Sequence, residues 1–168
     1  MLTRRELLIG AGSLAVSSLL PAGLQAAGSS MDWPQFRGPQ RNNICGETGL
    51  ARKWPAGGPK VLWSVPVEQG YAGAAIVAGR VYHHDYDMAK SEWLVNCRNL
   101  SDGKLIWQFR EAREIRPNHA ITRTVPCVDN RFVFSLDPKA VLHCLDVKSG
   151  KEIWRKSLVT EYKAAIPN

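Results

Sequence analysis

The chain has 168 residues, a formal net charge of +7 and 45% hydrophobic side chains. That length suits one globular domain with a modest core. The basic side chains are scattered among short apolar segments and form no stripe with aromatic residues, so the composition argues against nucleic-acid binding and for a solvated, mildly basic surface.

Residues 1–27 have the organisation of a signal peptide. Arg4-Arg5 precedes an apolar stretch over 7–20 that ends at Pro21, and small residues near the end suit cleavage. The apolar stretch is shorter than the roughly 20 residues that a membrane-spanning helix needs, so we predict no membrane span. The segment from Thr3 to Leu8 resembles the bacterial twin-arginine pattern, which we favour over an ordinary secretory signal. We therefore expect a periplasmic or secreted protein after cleavage of the signal peptide.

The next two segments precede the repeated part of the chain. Residues 28–59 form an N-terminal extended segment. Residues 60–67 predict a single strand around Trp63, with no partner strands of its own nearby in the sequence.

Residues 68–110 then alternate short apolar runs with turn residues, in the pattern of an antiparallel meander. The predicted strands are 72–78, 81–84, 93–97 and 105–109. Gly79-Arg80 and residues 101–104 are predicted turns, and the polar stretch 85–92 is predicted to connect the second strand to the third.

The end of this unit recurs 47 residues further along the chain, counted from Cys97 to Cys144. Identical residues stand at five positions of the string: Cys97, Gly103, Lys104, Ile106 and Trp107 recur as Cys144, Gly150, Lys151, Ile153 and Trp154. A period of roughly 40–50 residues is the size of a four-stranded propeller blade. We predict a second blade over 121–159, an inter-blade connector over 111–120 and the start of the next connector over 160–168.

Four repeated residues suit a tight turn. Asn99 and Asp146 have short side chains that can bond backbone amides ahead of the turn. Gly103 and Gly150 can supply the positive φ that a tight hairpin needs.

The other repeated residues suit packing. Trp107 and Trp154 lie on the outermost predicted strands, where a large flat side chain can pack between adjacent blades. Cys97 and Cys144 occupy equivalent positions one blade apart, so they are expected to be small core residues that do not form a disulfide with each other.

This pattern of a small residue, Asn or Asp, a glycine turn and a tryptophan four residues after the glycine resembles the pyrroloquinoline-quinone-type repeat with its tryptophan-docking motif. The segment from Asp32 to Pro39 also resembles the mature start of exported bacterial propellers of this kind. The resemblance implies an all-β fold, a partial β-propeller with about two four-stranded antiparallel blades. It implies that 60–67 is the strand that closes the ring, which in this family is usually eight-bladed. The chain is then interpreted as a truncated N-terminal fragment that lacks its remaining blades.

Propeller activity lies on loops at one face, so residues 85–92 and 111–123 are the candidate loops. The loop 111–123 carries side chains that could hold an anion or carboxylate: Arg113, Arg116, Asn118, His119 and Arg123. The alternative is a solvated connector whose arginines pair with Glu111 and Glu114. His83 and His84 are adjacent strand residues that point to opposite faces, so we predict no metal site there and expect both to be satisfied by hydrogen bonds.

No catalytic residue is recognisable, and no cofactor is evident. The leading hypothesis is a non-catalytic exported scaffold that binds other proteins or a small ligand at the propeller face. The alternative is the N-terminal fragment of a periplasmic dehydrogenase that uses pyrroloquinoline quinone with a calcium ion. A non-functional remnant is the third possibility. The calcium-binding carboxylates, catalytic aspartate and vicinal cysteine pair that the alternative implies are not recognisable in the sequence.

Overall fold

The computed structural model describes residues 32–68, 70–115 and 123–165. Within these residues the chain forms two four-stranded antiparallel sheets and one short helix. The strands are β1 (Ala75–Val77), β2 (Arg80–Asp87), β3 (Glu92–Asn99), β4 (Leu105–Ala112), β5 (Cys127–Val128), β6 (Phe132–Leu136), β7 (Val141–Asp146) and β8 (Glu152–Ser157). Strand order follows the chain in both sheets, β1-β2-β3-β4 and β5-β6-β7-β8. The predicted all-β fold, a partial propeller of two four-stranded blades, is confirmed.

The first hairpin turns one residue earlier than the sequence predicts. Val77 pairs with Arg80, which leaves Ala78 and Gly79 as a two-residue loop with φ of +50° and +72°. A two-residue hairpin whose loop residues both have positive φ matches the right-handed twist of its strands. Asp32 Oδ1 accepts a hydrogen bond of 3.1 Å from the Ala78 amide and helps to hold this turn.

The strands of the second hairpin in the first blade are longer than predicted, and the loop between them is shorter. β2 continues to Asp87, which pairs with Glu92, so the loop is 88–91 and the prediction of a connector over 85–92 is wrong. Tyr86 is buried, with the less buried Asp85 and Asp87 on either side. This alternation has the period of two that a strand requires, although its polar members look like a loop in the sequence.

The N-terminal segment joins the first strands of both blades. Trp33 exchanges two backbone hydrogen bonds with Ile76 of β1, of 2.7 and 2.9 Å. The next carbonyl, that of Pro34, accepts a bond of 2.9 Å from the Val128 amide of β5. Residues 60–67, predicted as a closing strand, belong to neither sheet.

One hydrophobic core lies between the two sheets. Trp93 and Val95 of β3 pack in the same cluster as Val133 of β6 and Leu145 of β7. The blades therefore bury their apolar faces against each other rather than each forming a core of its own.

Cys97 and Cys144 are buried in the sheets as free thiols. The prediction that they do not form a disulfide is confirmed. Burial raises the pKa of both thiols, which keeps them protonated and unreactive.

A short helix, α1 (Leu158–Tyr162), follows β8. The Ser157 side chain accepts a hydrogen bond from the Thr160 amide, and Lys163 ends the helix in a left-handed conformation with φ of +57°. The sequence analysis did not predict this helix, because five residues are too few to show a helical period.

Candidate functional site

Trp107 of β4 packs on the turn of the second blade. Its indole Nε1 donates a hydrogen bond of 3.1 Å to the Val147 carbonyl. The ring lies over Gly150 so closely that a Cβ there would be 2.5 Å from the ring atom Cε3. We call this arrangement the Trp–glycine contact.

Trp63 makes the same contact with the first blade. Its Nε1 donates a hydrogen bond of 2.8 Å to the Leu100 carbonyl, and its ring covers Gly103, where a Cβ would be 2.7 Å away. The segment 60–67 thus joins the first blade through a side chain and not through strand pairing.

The two glycine turns have the same construction. Gly103 and Gly150 have φ of +71° and +70°, and their amides donate to the carbonyls of Asn99 and Asp146. The side chains of Asn99 and Asp146 also accept a bond of 2.8 Å from the amide two or three residues ahead. These are the interactions expected from the sequence for an Asx turn. Hydrogen bonds from Ser149 are the main reason why the pKa of Asp146 is lowered.

Trp154 stands at the equivalent position of the second blade, on β8, and remains 40% exposed. It pairs with Cys144 as Trp107 pairs with Cys97, so the repeat places both indoles at matching strand positions. Among the described residues no glycine turn covers it. It borders an open, mainly apolar cavity of about 470 Å³, whose other lining residues are Leu142, Lys156, Leu158 and Tyr162.

A second cavity, of about 210 Å³, lies between residues 63–74 and the strands β2 and β3. Trp63, Val65 and Ala72 contribute to its apolar part, and His83 and Arg98 to its polar part. Arg98 Nε donates to His83 Nε2 at 3.3 Å, and His83 Nδ1 contacts the His84 carbonyl at 3.2 Å. The polar groups of His83 are therefore satisfied, as predicted for this residue.

His84 points into the inter-blade core instead. The Thr124 hydroxyl donates to the Leu136 carbonyl at 2.9 Å, so its oxygen accepts from His84 Nδ1 at 3.4 Å. His84 Nε2 is buried without a hydrogen-bond partner, so the expectation of a fully satisfied histidine is wrong for this residue. Burial is the main cause that lowers the pKa of His84, to about 4.

The predicted ligand loop can be followed only in part. Arg116, Asn118 and His119 lie outside the described residues, and Arg123 is exposed at the start of the next described segment. Arg113 pairs with Glu111 at 2.9 Å and with Asp137. The arginine considered as an anion ligand is thus paired with acidic side chains.

Neither a metal-binding cluster nor a membrane-spanning helix is present among the described residues. No group of three or more His, Cys, Asp or Glu side chains in those ranges could hold a metal ion. Nor does any helix in the described part of the chain have the length and apolar character to cross a membrane.

Residues 90–167, a little under half of the chain, match the family model described as outer membrane protein assembly factor BamB. No curated protein matches the chain. The chain is a β-propeller repeat protein. Its repeat is of the pyrroloquinoline-quinone type, and the resemblance found in the sequence is confirmed.

Similar solved structures come from three bacteria. Quinohemoprotein alcohol dehydrogenase from Comamonas testosteroni is 19% identical, with a TM-score of 0.41 over 54% of this chain and 13% of that chain. BamB from Moraxella catarrhalis is 11% identical, with a TM-score of 0.36 over 51% and 23%. Quinohemoprotein alcohol dehydrogenase ADHIIG from Pseudomonas putida HK5 is 21% identical, with a TM-score of 0.34 over 49% and 12%. The chain thus spans less than a quarter of the length of each.

We expect Gly150→Ala to destabilise the chain more than Gly79→Ala. Both glycines have φ near +70°, but a Cβ at Gly79 meets nothing within 4 Å, whereas one at Gly150 collides with Trp107. Gly79→Ala should lower the free energy of unfolding by about 1 kcal/mol through backbone strain. Gly150→Ala should cost about 2 kcal/mol more, because the added methyl group overpacks the contact and the indole must move. Urea unfolding of both variants measures the difference, and equal losses would contradict the Trp–glycine contact.

We expect His84 to weaken the fold in mild acid. Its pKa is about 4 in the folded chain, below the ordinary histidine value of 6.5, so only the unfolded chain takes up this proton between those values. The free energy of unfolding should therefore fall as the pH drops from 6.5 to 4, by at most about 3 kcal/mol from this residue. His84→Gln should show a flatter pH dependence in urea unfolding. Identical slopes for the two proteins would show that His84 is not the cause.

Proposed function

We propose that this chain is an exported, non-catalytic scaffold whose blades stack through a tryptophan-docking motif, with the exposed β8 edge as a docking surface for a further blade. The observation that carries the proposal is the repeated Trp–glycine contact, made by Trp63 and by Trp107. Trp154 occupies the third equivalent position, and no glycine turn of the described residues covers it.

The chemistry of the exposed edge specifies its occupant. Trp154 needs a turn that presents a glycine to its ring face and a carbonyl to its Nε1, as Val147 and Gly150 do for Trp107. Ile153 and Tyr162 beside it are also exposed, at 50% and 65%, so the edge offers apolar area for burial. We infer that the occupant is a further blade of the same repeat in a longer polypeptide.

Protein partners are a second part of this proposal. The matching family model is described as an assembly factor, which supports a role in holding other proteins together. The proposal includes no cofactor and no catalytic residue. Pyrroloquinoline quinone and calcium belong to the alternative, a fragment of a dehydrogenase. The connector with Arg116, Asn118, His119 and Arg123 stays a candidate ligand loop.

The docking proposal can be tested by lengthening the full chain with a copy of residues 121–168. In the appended copy the residue equivalent to Trp154 is changed to phenylalanine, so that it adds no exposed indole. The appended glycine turn should cover the original Trp154, so acrylamide quenching of tryptophan fluorescence should fall and the urea midpoint should rise. A matched version, in which the appended copy of Gly150 is changed to alanine, should show neither effect.

Two results would count against this mechanism. Equal protection by the glycine and alanine versions would mean that the added unit does not dock through this turn. Protection that appears only in dimers, as seen by sedimentation, would instead identify a second copy as the occupant.

The export proposal predicts that Arg4→Lys/Arg5→Lys stops maturation. A twin-arginine signal depends on the arginine pair, whereas an ordinary secretory signal needs only positive charge. In bacteria that express the full chain, the double-lysine variant should accumulate unprocessed in the cytoplasm, as measured by fractionation and mass spectrometry. Normal processing of the variant would favour the ordinary secretory signal.

A further inference from the structure

A closed ring of ionisable side chains crosses the interface between the two blades. Each member contacts the next, and the last contacts the first. The members of this charge ring are Glu111, Arg113, Asp137, His143, Glu152 and Arg155. The first two come from the end of the first blade, and the other four from the second.

The contacts across the interface involve both arginines. Arg113 donates to Glu111 at 2.9 Å within its own blade and to Asp137 of the second blade. Arg155 of the second blade returns to Glu111, with one bond of 2.9 Å to Oε1 and another of 3.1 Å to Oε2. The ring therefore connects the blades at two separate points.

His143 closes the second-blade half of the ring and is fully buried. Its Nε2 lies 3.2 Å from Asp137 Oδ2, and its Nδ1 lies 2.7 Å from Glu152 Oε1. A neutral imidazole has one N–H and could donate to only one of these carboxylates, whereas an imidazolium has two. We propose that His143 is a buried imidazolium that donates to both carboxylates, so that its second proton closes the ring through which Arg113 and Arg155 connect the two blades.

The charge balance supports this assignment. Glu111, Asp137 and Glu152 are the acidic members, and Arg113 and Arg155 are the permanently charged basic members. The ring is neutral only if the sixth member is a cation. Its outer members are partly exposed, but His143 and Asp137 are fully buried, and an unbalanced charge is costly at that buried pair.

The two carboxylates that face His143 favour their ionised forms. Burial alone would raise the pKa of Asp137, but hydrogen bonds from His143, the Val141 amide and Arg113 outweigh it and lower that pKa. Burial would also raise the pKa of Glu152, but hydrogen bonds from Arg155 and His143 outweigh it and lower that pKa. Ionised carboxylates accept hydrogen bonds and cannot supply the missing proton.

Among the described residues, the other groups packed around His143 add no competing charge. Trp93 of β3 and Phe109 of β4 have ring centroids 5.2 and 5.5 Å from the imidazole. Ser135 pairs with His143 in the β6–β7 register. His84 of β2 is the remaining titratable neighbour within the described ranges, and its lowered pKa keeps it neutral.

The two carboxylates give the ring a dependence on acid. The pKa values of Asp137 and Glu152 are lowered in the folded chain, so the inter-blade contact should weaken in acid, where protonation of these side chains removes the acceptors.

The first test is the protonation state of His143 in the full chain at pH 7, by nitrogen-15 NMR. His143→Gln and His84→Gln assign the resonances. Both nitrogens of His143 should carry protons, whereas His84 should carry one. A His143 ring with a single N–H would overturn the proposal.

The second test uses Glu152→Gln, which leaves two carboxylates to balance the two arginines. In this variant His143 should carry one N–H at pH 7. Glu161→Gln is the matched control, because Glu161 forms an exposed pair with Lys156 outside the ring. That variant should keep the doubly protonated His143. A doubly protonated His143 in Glu152→Gln, or a singly protonated one in Glu161→Gln, would overturn the proposal.

Discussion

The inter-blade arrangement depends on the absence of a side chain at two turn positions. At Gly103 and Gly150 a flat indole lies where a Cβ would be, and its N–H reaches a carbonyl of the same turn. The positive φ of these residues and the close approach of the ring both require glycine, for different physical reasons. Each contact connects one structural unit to the following one, so the same local chemistry sets the stacking along the chain.

The Trp–glycine contact between the blades helps to hold together an interface that also contains buried histidines. Trp107 anchors the outer side of the first blade to the turn of the second, while Trp33 and Pro34 join the first strands on the other side. Between these anchors the two sheets bury one apolar cluster. His84 and His143 lie among those apolar side chains, where burial makes their protonation states matter for stability.

The strands and turns of both blades were largely predictable, because their signals are local. A two-residue alternation, the Asn99 and Asp146 turns and the repeat of glycine and tryptophan all lie within short stretches of sequence. The predictions were wrong where a local signal was ambiguous. Asp85 and Asp87 suggested a loop although they alternate with the buried Tyr86 of β2, and α1 was too short to be recognised.

The groups that join the blades could not be predicted in this way. Glu111 and Arg155 are 44 residues apart, and Trp33 meets Ile76 only after the meander has folded. A pairing of the connector arginines with Glu111 and Glu114 was expected from the sequence, but the pairing of Arg113 with Asp137, 24 residues away, was not. No periodic signal in the sequence marks such partners, because a charged residue has many possible partners elsewhere in the chain.

The sequence by itself determined the repeat, the all-β class and the residues of the two repeated glycine turns, because these follow from side-chain size, φ preference and period. The tertiary structure decided which tryptophan packs against a glycine turn. It also decided which histidine has all its polar groups hydrogen-bonded and which arginine pairs with which carboxylate. Trp107 and Trp154 have equivalent sequence contexts, yet one is buried against the next turn and the other is 40% exposed. The difference arises from what lies beside each strand in space, and burial is a property of neighbours that no single segment contains.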